Sequence, residues 1–368
     1  IYALVNRDFF IMPKHLLSNI SDADLVNDAF WQNPVGSGPC IFDSMESGVS
    51  IEFKANKDYY LGAPDFDRLV FKKVQSSNLL SGLMSGDIDV LSGNSQIPLA
   101  DWEAAKNTQG IVTKSVPTFA YQYMAMNTSR DYLTEDVRHA ISLAINRQVI
   151  VDQLLQGEAR IAIGPLAEDH PYFDEKLLPI EYDPEKAARV FEAAGCTKDA
   201  DGYWCRDGER IGFTINASST DQVRIDMAQI AAQQLQAVGL DVKANVPAEG
   251  IDWGGQECCI IGWGSPFDAD DHTYKVFGTD KGANYSGYSN PLVDEYLTKA
   301  RETDDPSERA EYYAQFQNEL AKTPAYTFFC YIDAMYVVND HIKGISSDTV
   351  LGHHGVGIFW NVCDWTIE

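Results

Sequence analysis

The densest run of groups able to do chemistry is Gly264-Ser265-Pro266-Phe267-Asp268-Ala269-Asp270-Asp271-His272. Carboxylates beside an imidazole suggest a site for a hard cation, which takes several carboxylate oxygens. The spacing fails for a calcium loop. Counted from Asp268, Thr273 stands at the sixth position, where glycine is needed, and Thr279 at the twelfth, where glutamate is needed. No metal site is expected. Asp271 reads as the cap of a following helix in a solvated acidic loop. Asp268 and Asp270 differ, because Trp263, Phe267 and Tyr274 flank them. A carboxylate among aromatics is costly unless a cation pairs with it, and an ammonium-bearing ligand would supply one. The enzymatic alternative is a hydrolase using Asp268 or Asp270 with His272.

Other candidates are weaker. Cys258-Cys259 and His353-His354 are adjacent pairs whose side chains point in different directions, which suits core or surface roles better than joint chelation. Tyr121 and Tyr123 share one face of a strand, with Met124 and Met126 on the other, a pattern of sheet packing or of a pocket wall. The chain lacks the Gly-x-Ser-x-Gly elbow, the Gly-x-x-x-x-Gly-Lys-Ser/Thr phosphate loop and His-Glu-x-x-His.

Cys258–Trp263 reads as the strand that presents the acidic loop at its carboxyl end, where open α/β sheets bind ligands. Before it, Ile211–Ala217, Asp221–Val238 and Leu240–Val246 read as strand, helix and strand, a crossover that makes a parallel sheet. Thr134 is expected to cap an amphipathic helix of about five turns, carrying Val137, Ala140, Ile141, Ala144, Ile145 and Val151. Asp183-Pro184, Asn290-Pro291 and Asp305-Pro306 open three more helices, the last running through Arg309, Tyr313 and Phe316 toward Leu320. Leu79–Met84 is expected helical and stopped by Gly86, with Ile88–Leu91 a strand.

Composition limits the function. Across 368 residues, 54 Asp plus Glu against 28 Lys plus Arg give a formal net charge of −26, which excludes nucleic acid and disfavours an anionic membrane face. A content of 45% hydrophobic and 11% aromatic residues is that of a folded chain. No apolar run approaches the ~20 residues that span a bilayer. Ile1–Phe10 carries no leader pattern, so a signal peptide is expected to be cleaved or to lie upstream. The seven Cys include no Cys-x-x-Cys, so no zinc ribbon is expected. Cys196 and Cys205, with the Asp201-Gly202 turn between them, are the best disulfide pair, and a bridge there would imply an oxidising compartment.

Taken in order, several segments resemble the family 5 solute-binding proteins of ABC importers, the peptide- and nickel-binding group. Pro34-Val35-Gly36-Ser37-Gly38-Pro39 looks like the family's "vGtGPY", and Asn56-Lys57-Asp58-Tyr59-Tyr60-Leu61-Gly62-Ala63-Pro64 like its "NpdYw.G.P". Asp136-Val137-Arg138-His139-Ala140-Ile141, followed by Ala144-Ile145-Asn146-Arg147, resembles its "dvRqAl..aidr" helix. Tyr182-Asp183-Pro184-Glu185-Lys186-Ala187, Tyr288-Ser289-Asn290-Pro291 with Asp294, and Pro324 before an aromatic strand complete the series. Cys40 stands where the family usually has Tyr. The family's first lobe I strand and small inserted domain have no counterpart before Pro13-Lys14-His15, so the chain looks like an N-terminally truncated member or one that obtains those residues elsewhere.

The resemblance implies an α/β, two-lobed periplasmic-binding-protein-like fold of type II, in the peptide-binding cluster. Lobe I is expected at 1–116, partial, and 331–368, with lobe II at 117–330 and hinge strands near Val116–Tyr121 and Ala325–Tyr331. It implies a non-enzymatic receptor that captures short peptides outside the cytoplasmic membrane and delivers them to ABC permease subunits. Such a receptor is periplasmic or lipid-anchored, usually monomeric, and needs no cofactor. Asp268 and Asp270 match the family's ammonium-binding position. Trp263, Ser265, Phe267, Tyr121, Tyr123, Asn284 and Tyr285 are expected around the ligand. Nickel, haem or sugar is the alternative cargo.

Overall fold

The computed structural model describes residues 11–91, 98–264, 268–346 and 357–368. The readings at Ile1–Phe10, Ser265, Phe267 and His353-His354 lie outside them. The chain folds as two compact units: the described residues up to Val116 with those from Ala334 onward, and Pro117–Asp333.

Along the first unit, β1 (Cys40–Glu46), β2 (Ser50–Ala55) and β3 (Arg68–Lys72) pair antiparallel. Helix α1 (Leu79–Ser85) ends at Gly86, whose φ of 78° lets its N–H close on the Leu83 carbonyl, a left-handed conformation that glycine adopts without strain. Then come β4 (Val90–Leu91), α2 (Leu99–Lys106) and β5 (Ile111–Val116).

The second unit contains β6 (Tyr121–Met126), α3 (Glu135–Leu143), β7 (Ala159–Ile161), α4 (Pro184–Ala193), β8 (Thr197–Lys198), β9 (Trp204–Arg206), β10 (Glu209–Arg210), β11 (Gly212–Asn216), α5 (Gln222–Ala237), β12 (Asp241–Asn245), β13 (Cys258–Trp263), α6 (Asp270–Phe277), α7 (Pro291–Glu302), α8 (Pro306–Lys322) and β14 (Tyr326–Ile332). The chain returns to the first unit with β15 (Ala334–Asn339), β16 (Ile342–Lys343) and β17 (Thr366–Ile367). There β15 lies between β4 and β5.

The sheet of the second unit is ordered β12-β11-β13-β6-β14-β7. The expected crossover is β11-α5-β12, parallel, with β13 parallel to β11 on its other side. β6 joins this parallel part to the antiparallel β14 and β7. Every residue of β6 is buried. Met124 and Met126 enter one core, with Val137, Phe191 and Met227, and Tyr121, Tyr123 and Ala125 enter another, with Phe277, Tyr313 and Phe316. A sheet covered on both faces needs apolar side chains at successive positions, which β6, β13 and β14 supply.

Helix starts follow from capping. Asp183, Asn290 and Asp305 each accept backbone N–H bonds, with Pro at the first helical turn. Thr134 does not cap; its Oγ1 accepts from Arg206 Nη1 at 2.9 Å. The five-turn helix expected there is broken. α3 stops at Leu143, and Asn146 caps a new turn, Arg147–Val149, that passes into the π-helical Ile150–Leu154. Asn146 holds the break by accepting from Gln148 N at 3.1 Å and donating its own N–H to Gln234 Oε1 on α5 at 2.7 Å.

The expected Cys196–Cys205 bridge is not formed, and both are free thiols. Thr197, not Cys196, stands opposite Cys205. Neighbouring strand residues point to opposite faces, so Cys196 packs into the core while the Cys205 thiol reaches the Tyr203 carbonyl at 3.5 Å.

Asn290→Ala and Asp305→Ala are each expected to lower the unfolding free energy of the second unit by about 1 kcal/mol in urea titrations, whereas Thr134→Ala should show no capping loss.

Candidate functional site

The acidic segment follows β13, whose Trp263 lies opposite Tyr121 of β6. Trp263 Nε1 donates to Tyr123 Oη at 3.0 Å, and the two tyrosine rings lie 5.6 Å apart. Both tyrosines sit inside the second core, at 1% and 0% exposure. Trp263 remains partly exposed, with the Lys275 ammonium 4.8 Å from its ring and His272 at 5.3 Å.

Asp268 is buried and bound on both oxygens by one guanidinium. Arg309 Nη1 donates to Oδ2 at 2.5 Å and Nη2 to Oδ1 at 2.6 Å, with the two side chains 1% and 7% exposed. Oδ1 also accepts from Asp270 N at 2.9 Å, setting the first turn of α6. Arg309 Nε donates to the Ala300 carbonyl at the end of α7, and Nη1 lies 3.4 Å from Tyr172 Oη. Tyr172 and Tyr313 stack with each other and present their faces to the guanidinium at 5.2 and 5.4 Å. Burial is the largest single influence and works against the arginine's charge, but Asp268, Tyr313 and Tyr172 together outweigh it and raise its pKa.

Asp270 is held more loosely. Arg301 Nε lies 3.1 Å from Oδ1 without hydrogen-bond alignment, and that buried oxygen has no hydrogen-bond partner among the described residues. The Arg301 guanidinium sits 3.9 Å from the Tyr274 ring centroid. Burial raises the Asp270 carboxyl above its ordinary range, with Arg301 opposing and Asp268 adding to the shift. Asp271 Oδ2 faces His272 Nε2 at 3.3 Å and Lys275 Nζ at 3.4 Å.

His170 also belongs to this cluster. Its Nδ1 accepts from Tyr172 N at 3.1 Å, so the neutral ring carries its proton on a buried Nε2. Burial lowers its pKa to about 4 against the pull of Asp268 and Asp169, with Arg309 adding to the fall.

The structure does not bring Asn284 and Tyr285 to this end of the sheet. Thr128 N donates to the Ser286 carbonyl, Asn127 N to that of Glu257, and Cys258 pairs with Met126. They therefore lie near the start of β13, five strand steps, or about 17 Å, from Trp263. Asn284 is spent internally: Nδ2 donates to the Gly278 and Tyr288 carbonyls, and Oδ1 accepts from Tyr288 N, Ser286 and Tyr326. Tyr285 stacks on Trp253, ring centroids 4.4 Å apart.

Sequence reasoning missed Arg309, Arg301 and His170 as members of this cluster. Arg309 carried a readable signal, a lone cation on the same helical stripe as Tyr313, Phe316 and Leu320. Arg301 and His170 carried none.

Two units built of strands and helices, and a polar cluster at the carboxyl end of a parallel strand, define the two-lobed α/β binding proteins. The profile of bacterial extracellular solute-binding proteins, family 5 (middle region), matches residues 3–285, and the chain belongs to this family. It is similar to the oligopeptide-binding protein AppA of Bacillus subtilis, 27% identical over 355 residues, covering 91% of this chain and 63% of that protein. Protein XP55 of Streptomyces lividans is 30% identical over 353 residues, covering 92% and 62%. The crystal structure of NikZ from Campylobacter jejuni in complex with Ni(L-His) superposes with a TM-score of 0.86 at 34% identity, covering 96% of this chain and 72% of that one. The chain thus spans 63% and 62% of the length of the two curated relatives.

Arg309→Met, which strands a buried carboxylate, is expected to destabilise the second unit by about 3–5 kcal/mol, and Asp268→Leu in the same chain to recover most of that. The His170 shift makes stability depend on pH. The unfolded imidazole takes a proton near 6.5 and the folded one near 4, so stability falls as pH drops from about 6.5 to 4 and levels off below. Urea midpoints across that range should show His170→Gln losing about 2–3 kcal/mol less than wild type.

Proposed function

We propose that the chain is the substrate-capturing component of an ABC importer, which holds a short peptide outside the cytoplasmic membrane and releases it to permease subunits. The observation that carries this reading is membership of the family over residues 3–285, together with similarity to an oligopeptide-binding protein over 91% of the chain. It acts as a monomer that returns its ligand chemically unchanged, since a receptor needs only differential affinity. Peptide main chain is held by strand-like hydrogen bonds, which tolerate varied side chains. Trp263 gives the ligand an apolar face, with Ser265 and Phe267, two and four residues further along the sequence, as further ligand contacts. Of the two candidate carboxylates, Asp270 is the one for the peptide ammonium, because both oxygens of Asp268 are taken by Arg309. Asp268 instead positions the loop.

A second reading is a nickel complex as cargo. It is favoured by the similarity to NikZ and by the cations already beside Asp268, Asp270 and Asp271, which leave less unmatched negative charge for an ammonium.

Calorimetry with di- to nonapeptides, with and without N-terminal acetylation, separates the two. The peptide reading expects binding that acetylation weakens and that Asp270→Asn reduces at least about tenfold, roughly the 1.4 kcal/mol of one modest charge-assisted contact. Unchanged affinity in the variant would remove Asp270 from the site. Binding of nickel-histidine but of no peptide would overturn the peptide reading, and recovery of cleaved peptides would favour the hydrolase using Asp268 or Asp270 with His272 instead.

A further inference from the structure

Two of the seven cysteines are partly exposed: Cys40, the first residue of β1, and Cys363, in the 3₁₀ helix Ile358–Asp364. Cys196, Cys205, Cys258, Cys259 and Cys330 are buried. Thiol exchange needs access as well as a thiolate, so the reactive thiols are Cys40 and Cys363. Cys40 is also the residue at which this chain departs from the family pattern, which usually has Tyr there.

Both residues belong to the first unit, and its packing brings them together. They lie against one apolar cluster, that of Phe66, Tyr336, Ile358 and Trp365. Cys40 pairs with Ala55 of β2, whose N–H donates to the Asp67 carbonyl at 2.9 Å, so Cys40 and Phe66 share one end of that sheet. From the other side Phe359, on the helix of Cys363, meets Phe71 of β3 edge-on, ring centroids 5.2 Å apart. Asn56 N donates to the Pro39 carbonyl at 2.8 Å and Tyr59 N to the Asn56 carbonyl at 3.2 Å, which sets Tyr59 beside Cys40. Cys363 is felt at both: burial and then Cys363 push the Cys40 thiol up, and burial, Tyr60 and then Cys363 push up the Tyr59 hydroxyl. Cys196 and Cys205 lack this arrangement, because only Cys196 of the two packs into a core cluster.

We propose that Cys40 and Cys363 form a reversible disulfide that ties β1 to the Ile358–Asp364 helix, made by exchange with an oxidant that is itself a disulfide, such as oxidised glutathione. One protein thiolate attacks a sulfur of the oxidant, whose S–S bond breaks as a mixed disulfide forms and one oxidant thiolate leaves. The second protein thiolate attacks the protein sulfur of the mixed disulfide, forms the Cys40–Cys363 bond and expels the other oxidant thiolate. The protein gives up two electrons and two protons, and the oxidant takes them as two thiols. Oxidising compartments outside the cytoplasmic membrane, where the family works, supply oxidants of this class. The loop so closed contains the whole second unit, Pro117–Asp333, and long loops restrict the unfolded chain most.

The test treats the folded 368-residue chain with oxidised glutathione, then alkylates it in denaturant and maps it by mass spectrometry. Two thiols should be lost, in one peptide pair joining Cys40 to Cys363, with the buried five still free. Dithiothreitol should restore both without unfolding, and amides of Cys40–Glu46 should exchange at least about tenfold more slowly in the oxidised form. Cys40→Ser and Cys363→Ser should each abolish the cross-link and leave a glutathione adduct on the remaining thiol, with Cys40→Ala replacing Cys40→Ser if the hydroxyl disturbs packing. Retention of both thiols, a cross-link from either to another cysteine, a dimer joined through Cys363, or a bridge that resists dithiothreitol until the chain unfolds overturns the proposal.

Discussion

The Arg309–Asp268 pair is the most deeply buried ion pair among the described residues. Taking both ions out of water costs several kcal/mol each, and the cost is offset only because both carboxylate oxygens and three guanidinium nitrogens find partners. The pair ties α8 to the last turn of α7, through the Ala300 carbonyl, and to the first turn of α6, through Asp268. The stacked Tyr172 and Tyr313 exclude water from it. The loop after β13 is thereby fixed where it enters α6, so any ligand role of that loop depends on a contact the ligand need not make.

A sheet buried on both faces imposes the second constraint. β6 and β14 cannot send polar groups to solvent, and among the described residues all their tyrosine hydroxyls except that of Tyr121 find partners inside. Tyr326 reaches Ser286, Asn284 and the Val276 carbonyl, and Tyr331 the carbonyls of Gly164 and Leu166. These bonds pin surrounding loops to the sheet, which explains why Asn284 serves the fold at the far end of β13.

The net charge of −26 is not expressed at the candidate site. Asp268, Asp270 and Asp271 have Arg309, Arg301 and Lys275 at 2.5, 3.1 and 3.4 Å. The surplus carboxylates lie elsewhere, and a ligand at this loop meets paired charges of graded strength, strongest at buried Asp268 and weakest at Asp270.

Local rules were legible in the chain itself. The caps at Asp183, Asn290 and Asp305, the stop at Gly86, the crossover from Gly212 to Asn245 and the strand before the acidic loop depend on residues close in sequence, and the ordered motifs carried the family. Where local signals competed, the sequence misled: Ala144 to Val151 keeps helical periodicity, yet Asn146 finds a backbone donor nearby and a glutamine on another helix. Partners distant in sequence could not be read at all. Nothing near Asp268 announces Arg309, 41 residues on, and nothing near Tyr285 says that it lies about five strand steps from Trp263. Residue types and their spacing determined which elements form and which groups could carry charge. Only the tertiary structure decided which of those charges already have partners, because pairing depends on distance in space and on exclusion from water, which spacing along the chain does not encode.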